Sequence, residues 1–162
     1  MKYFVLDPGS RYVGWARMDS ARKGRILDAG RVVCTKGPYL DRVDQLCHQV
    51  WMLATTELVD HIVIEVPSGG VHVRHGGRGE GLSIYGMAVG AIRAYLKLLL
   101  GVPIHDVPVA VWKSGQTKEK AIKVALKHYP PYADMKDPGA DTADAIALAV
   151  WYYEFRIRRP RK

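Results

Sequence analysis

The chain has 162 residues, 48% of them apolar, and its 24 Lys and Arg outnumber its 16 Asp and Glu, leaving a formal net charge of +8. A chain of that size and composition can bury the core of one domain, which excludes dependence on disulfide staples. The cationic surplus points to a polyanionic partner, nucleic acid before any other.

Tyr3 to Leu6 is continuously apolar and leads into Asp7-Pro8-Gly9-Ser10, a central strand followed by a turn. Tyr12 to Met18 and Ile26 to Val33 are two further strands, joined through the tight connection Ala21-Arg22-Lys23-Gly24. Three strands with short turns predict an antiparallel meander. The period of Leu40, Val43, Leu46, Cys47, Val50 and Leu53 predicts a helix over Leu40 to Leu58. His61 to Val66 is a short strand, and Pro67 to Gly81, rich in Gly, His and Arg, a loop. Leu82 to Leu100 is a long apolar helix, but Arg93 and Lys97 are costly in a bilayer, so a core helix is expected and no membrane span. Pro103 to Val107 is a strand, Thr117 to His128 a lysine-rich helix, Tyr129 to Pro138 a loop and Asp141 to Arg156 the last helix. Residues 1–157 form a single domain, and 158–162 a basic tail. The order β-β-β-α-β-α-β-α-α predicts an α/β fold, a mixed sheet covered by helices.

Cys34 and Cys47 stand apart from any CxxC pair or zinc-spaced His, so no zinc site is expected. Free thiols and the lack of a signal peptide at the N-terminus fit a cytoplasmic location.

Four carboxylates interrupt this pattern. Asp7 closes a strand apolar on both faces, where an ionised acid is expensive unless paired or metal-bound. It is also a common residue before Pro-Gly, as the opener of a turn. Glu65 closes Ile62-Val63-Ile64 in the same way, while Pro67 leaves open an edge strand with Glu65 in solvent. If the two strands are parallel neighbours, both acids lie at one sheet edge, where open α/β sheets bind ligands. Asp141 and Asp144 begin the last helix three residues apart and share a face. A helix cap and a dipole partner account for them too. The apolar run from Ala145 to Val150 nevertheless buries this helix start, where two acids repel unless a cation lies between them. Mg²⁺ takes oxygen ligands, and two such ions about 4 Å apart activate water and stabilise the leaving oxygen of a phosphodiester. Asp7, Glu65, Asp141 and Asp144 are therefore the candidate metal ligands and the candidate catalytic residues.

The candidate DNA contacts are basic. Lys113 sits in the loop Val111 to Gly115 after the last strand, and Lys118 and Lys120 begin the next helix. Lys123 and Lys127 read as a solvated face. Arg74, His75 and Arg78 lie among glycines directly after Glu65, in a loop that either tracks DNA or only links two elements. Gly86, Gly90 and Ala94 recur every four residues on the long helix, a stripe that allows close approach of a second helix or of the sheet.

With these residues collected, the chain resembles the RuvC family of Holliday junction resolvases, within the ribonuclease H-like group. The carriers are Phe4-Val5-Leu6-Asp7-Pro8-Gly9-Ser10 with Gly14 beyond, Ile62-Val63-Ile64-Glu65, and Asp141-Thr142-Ala143-Asp144-Ala145-Ile146-Ala147-Leu148-Ala149. The resemblance implies a ribonuclease H-like mixed five-stranded sheet, an antiparallel three-strand meander plus two parallel strands, flanked by helices. It implies a homodimer that cuts opposing strands of four-way DNA junctions, leaving 5′-phosphate ends. Two Mg²⁺ per site, replaceable by Mn²⁺, would be held by the four matching acids, with Lys113 and Lys120 or Lys118 assisting at phosphate. The stretch after Glu65 lacks the aromatic that the family places there, which points to a phage-type or divergent member. Other readings are a flap or other branched-DNA nuclease or ribonuclease with the same acids, a nucleotide-binding ATPase-like fold, and a non-catalytic junction-binding protein.

Overall fold

The computed structural model describes residues 1–68 and 80–159, without side-chain detail for 80–83. Five strands form one sheet: β1 (Lys2–Pro8), β2 (Tyr12–Asp19), β3 (Arg25–Val33), β4 (His61–Val66) and β5 (Ile104–Pro108), in the order β3-β2-β1-β4-β5. The meander β1-β2-β3 is antiparallel, and β4 and β5 add to it in parallel. The predicted mixed sheet of three plus two strands is thus the observed one.

Alternation along the strands sorts side chains into two layers. Phe4, Leu6, Ile62 and Ile64 face α1 (Tyr39–Thr55) and α2 (Glu80–Leu100). Tyr3, Val5 and Val63 face the other side, where α4 (Lys118–His128) and α5 (Asp141–Tyr152) pack. Asp7 continues the Tyr3–Val5 set and Glu65 continues Val63, so both acids emerge on the α5 side. Leu6 pairs with Ile64 in the parallel register, which puts Asp7 and Glu65 level at the sheet edge.

Several element bounds differ from the sequence expectation. α1 ends at Thr55 rather than Leu58, because the buried Arg17 guanidinium takes the Leu53 carbonyl and the Thr56 hydroxyl. α2 starts at Glu80, inside the expected loop. The segment after β5 is not a plain loop, since Val109–Trp112 closes one helical turn, α3, and Lys113 follows as its C-cap. The expected loop after α4 contains a 3₁₀ turn over Pro130–Asp134. The last helix is α-helical only to Tyr152 and then widens to a π turn over Tyr153–Arg158. Tyr153 packs directly on Gly24 at the β2–β3 connection, a contact with no room for a Cβ there.

The Gly86–Gly90–Ala94 stripe does not meet the sheet. A Cβ on Gly86 or Gly90 would touch nothing within 4 Å, and Met87 and Leu98 are exposed on the same helix. No helix among the described residues is long and apolar enough to cross a membrane.

Candidate active site

The start of α5 is built to lie against the sheet. Ala140 adopts a left-handed conformation (φ 62°), and the first turn crosses β2 at Gly14, which pairs with Asp7. A Cβ on Gly14 would sit 1.9 Å from the Asp141 carbonyl oxygen, so only glycine permits that approach. α5 is rich in alanine and buried nearly all round, as its apolar run predicts.

Capping, one of the roles open to Asp141 in the sequence, belongs to another residue. Asp137 accepts from the Ala143 N–H at 3.1 Å and from the Tyr132 hydroxyl at 3.2 Å, and its side chain is 2% exposed. Burial and the Asp137 charge push the Tyr132 phenol up to about 12, so it stays a donor.

Asp7, Glu65 and Asp144 converge on the Lys113 ammonium. Lys113 Nζ lies 2.9 Å from Asp144 Oδ2, 3.5 Å from Glu65 Oε2 and 3.9 Å from Asp7 Oδ1. Glu65 is further held by the Trp112 indole N–H, which donates to Oε2 at 2.8 Å, and by the Tyr85 hydroxyl, which donates to Oε1 at 3.2 Å. Burial pushes the Asp7 carboxyl well above its ordinary range, and the Glu65 charge adds to that push against the opposition of Lys113. Burial likewise raises Asp144, opposed by the hydrogen bond and charge of Lys113. For Lys113 burial works downward, but the charges of the three acids outweigh it, and the ammonium stays protonated.

Asp141 stands apart. It pairs with Arg31 Nη1 at 3.4 Å, and Arg31 also approaches Asp137 at 3.8 Å while lying over the Tyr12 ring. The acids therefore form a trio around Lys113 and a separate Asp141–Arg31 pair. Lys118 is exposed, near enough to Asp144 for its charge to favour the ionised form. Lys120 donates from its ammonium to the Gly115 carbonyl at 2.6 Å. Arg74, His75 and Arg78 lie outside the described residues. Arg31, Trp112, Tyr85 and Asp137 were not candidates from sequence. The partners of Arg31, Trp112 and Tyr85 are distant in the chain, whereas Asp137 acts locally, on Tyr132 and Ala143. Only the Trp112-Lys113 adjacency points to one of the four.

Among the described residues, no three His, Cys, Asp or Glu side chains are disposed to hold a metal as they stand. The chemistry of the trio still fits a hard divalent cation. All its donors are carboxylate oxygens from three different elements, and a cation already sits between them. Replacing Lys113 by Met removes that cation from between buried acids. The variant is expected to lose about 2 kcal/mol in chelator, less than a fully buried pair would, because Lys113 is partly exposed. Mg²⁺ is expected to restore much of that loss. A melting temperature unchanged from the wild type in chelator would contradict the counter-ion role.

No family model matches the chain, and no curated protein does. Solved structures do. RuvC of T. thermophilus, in complex with a Holliday junction substrate, matches over 95% of both chains with a TM-score of 0.71 at 19% identity. This chain has the RuvC fold. The yeast mitochondrial Holliday junction resolvase Ydc2 matches 93% of this chain and 77% of its own, with a TM-score of 0.59 and 12% identity. Fowlpox virus resolvase, solved with Holliday junction DNA, matches over 95% and 97% with a TM-score of 0.58 and 12% identity. The trio of acids lies where the ends of β1 and β4 meet the start of α5.

Proposed function

We propose that the chain is a structure-specific DNA endonuclease that resolves four-way junctions by Mg²⁺-dependent phosphodiester hydrolysis. The observation that carries this reading is the gathering of Asp7, Glu65 and Asp144 around one cation in a RuvC fold. Asp7, Glu65 and Asp144 would hold the divalent ions, with Asp141 joining once it leaves Arg31. A divalent ion bound there lowers the pKa of a water and neutralises charge on the phosphodiester. Lys113 would contact a phosphate oxygen, and Lys118 and the other basic residues would gather the DNA backbone. Cleavage would leave 5′-phosphate and 3′-hydroxyl ends, and a homodimer would cut two opposing strands. The outer face of α2, with Gly86, Gly90, Met87 and Leu98 uncovered, offers a surface for that second copy.

The test compares a synthetic four-way junction with linear duplex, flap and RNA–DNA hybrid, each with Mg²⁺ and with chelator. Cutting of the junction alone, and only with the metal, is the expected result. Equal cutting of every substrate would remove the junction preference, and no cutting with either Mg²⁺ or Mn²⁺ would remove the nuclease reading. Binding is expected to weaken steeply with salt, as phosphate contacts release counter-ions.

A further inference from the structure

Glu65 is the most enclosed of the acids around Lys113, and nothing in its own strand sets which way its oxygens point. Its side chain is 5% exposed, and both oxygens accept from outside the trio. A carboxylate has about four lone-pair sites. Tyr85 takes one on Oε1 and Trp112 takes one on Oε2, which leaves the remainder to face Asp7, Asp144 and Lys113. An indole N–H donates only, so this contact cannot reverse its polarity.

Trp112 also touches the cation. Lys113 Nζ lies 5.2 Å from the Trp112 ring centroid and 3.5 Å from the same Glu65 oxygen that the indole N–H reaches. The carrier of both residues is α3, a single turn that could not stand alone. It is tied down at Ala110, whose N–H donates to the Ser68 hydroxyl at 2.7 Å, three residues beyond Glu65. The Lys113 N–H closes the turn on the Val109 carbonyl at 2.9 Å. The segment that leaves β4 therefore anchors the turn that holds Glu65.

We propose that Trp112 is a positioning residue: its N–H orients Glu65, its ring seats Lys113, and Tyr85 completes the orientation from the α2 side. The inference rests on the metal-nuclease reading above and adds the groups that act through the ligands. Outer partners of metal-bound carboxylates typically carry about 10- to 100-fold in metal affinity.

The test uses Trp112→Phe, which removes the N–H and keeps an aromatic ring, Trp112→Leu, which removes both, and Tyr85→Phe, which removes one hydroxyl. Mn²⁺ binding to the full chain is followed by calorimetry without DNA, beside thermal melts in chelator and cleavage rates at saturating Mn²⁺. Asp7→Asn identifies the heat that belongs to the acids. Trp112→Phe is expected to bind Mn²⁺ about 10-fold more weakly and to regain most of its cleavage rate at saturating metal. Tyr85→Phe is expected to lose several-fold, in keeping with its longer hydrogen bond. Trp112→Leu is expected to stay slow at saturating metal, because Lys113 loses its seat. Folded variants that bind Mn²⁺ within twofold of the wild type would overturn the proposal, since a purely structural tryptophan lowers the melting temperature and leaves metal affinity alone. If neither Trp112 variant folds, Tyr85→Phe decides by the same threshold. Absence of Asp7-dependent Mn²⁺ binding in the wild type would instead overturn the metal reading itself, and with it this inference.

Discussion

Replacing Asp7 by Asn is expected to abolish Mg²⁺-dependent junction cleavage, by on the order of 10³-fold or more, while junction binding survives. The size is what the loss of one anionic oxygen would cost in the proposed metal site, where several kcal/mol of transition-state charge would be stabilised. The same substitution is expected to stabilise the protein in chelator. The Asp7 carboxyl is held well above its ordinary value of 3.8, first by burial and then by the Glu65 charge. A folded-state pKa above the unfolded one means that the protonated form favours folding. That stability is fully present below about pH 3.8 and is lost as the pH rises through the folded value. Asn does not ionise and loses nothing. The melting temperature of the variant relative to the wild type is therefore expected to climb from about pH 4 towards neutrality. Near-normal cutting with Mg²⁺, or a variant less stable than the wild type in chelator at pH 7, would count against this assignment. Gain in stability with loss of activity is the usual mark of a site whose charges are held for function.

Gly14→Ala is the second substitution with a large expected effect. The new Cβ would lie 1.9 Å from the Asp141 carbonyl oxygen and 2.4 Å from its carbon, and both are backbone atoms of a buried helix start. The first turn of α5 must lift away from β2, at a cost of about 3 kcal/mol or more for overpacking of this kind. For a chain of this length that corresponds to a fall of roughly 10 °C in melting temperature. Lifting α5 also withdraws Asp144 from Lys113 and Asp141 from Arg31, so cleavage is expected to fall further than stability alone explains. Gly90→Ala is the control for packing within the chain, apart from the second-copy surface proposed for that face. It lies mid-helix with nothing within 4 Å of the added methyl, and is expected to gain about 0.5–1 kcal/mol. Denaturant melts of the two variants check both values, and a Gly14→Ala protein that melts with the wild type would disprove the close approach.

Much of this is legible in the sequence. The apolar runs at Tyr3 to Leu6 and Ile62 to Ile64 located two buried strands, and the acids closing them stand level at one sheet edge. The apolar stretch after Asp144 marked α5 as a buried helix. The boundaries were less legible, because α1 ends through Arg17, a residue more than thirty positions upstream of the helix end it caps. The one-turn helix α3 leaves no signal in the sequence, since four residues carry no period to read. Its spacing from Asp144 groups Asp141 with the other acids, yet its carboxylate turns to Arg31 on β3.

By itself, then, the sequence determined the order of the five strands and of the four longer helices, the faces they bury and the strand and helix ends at which acids accumulate. Those properties follow from local periodicity and from the cost of burying charge. Only the tertiary structure decided which cation meets which acid. Lys113 reaches Glu65 across 48 positions and Arg31 reaches Asp141 across 110. Such pairings depend on strand order and on where α5 crosses Gly14, and a local pattern carries neither.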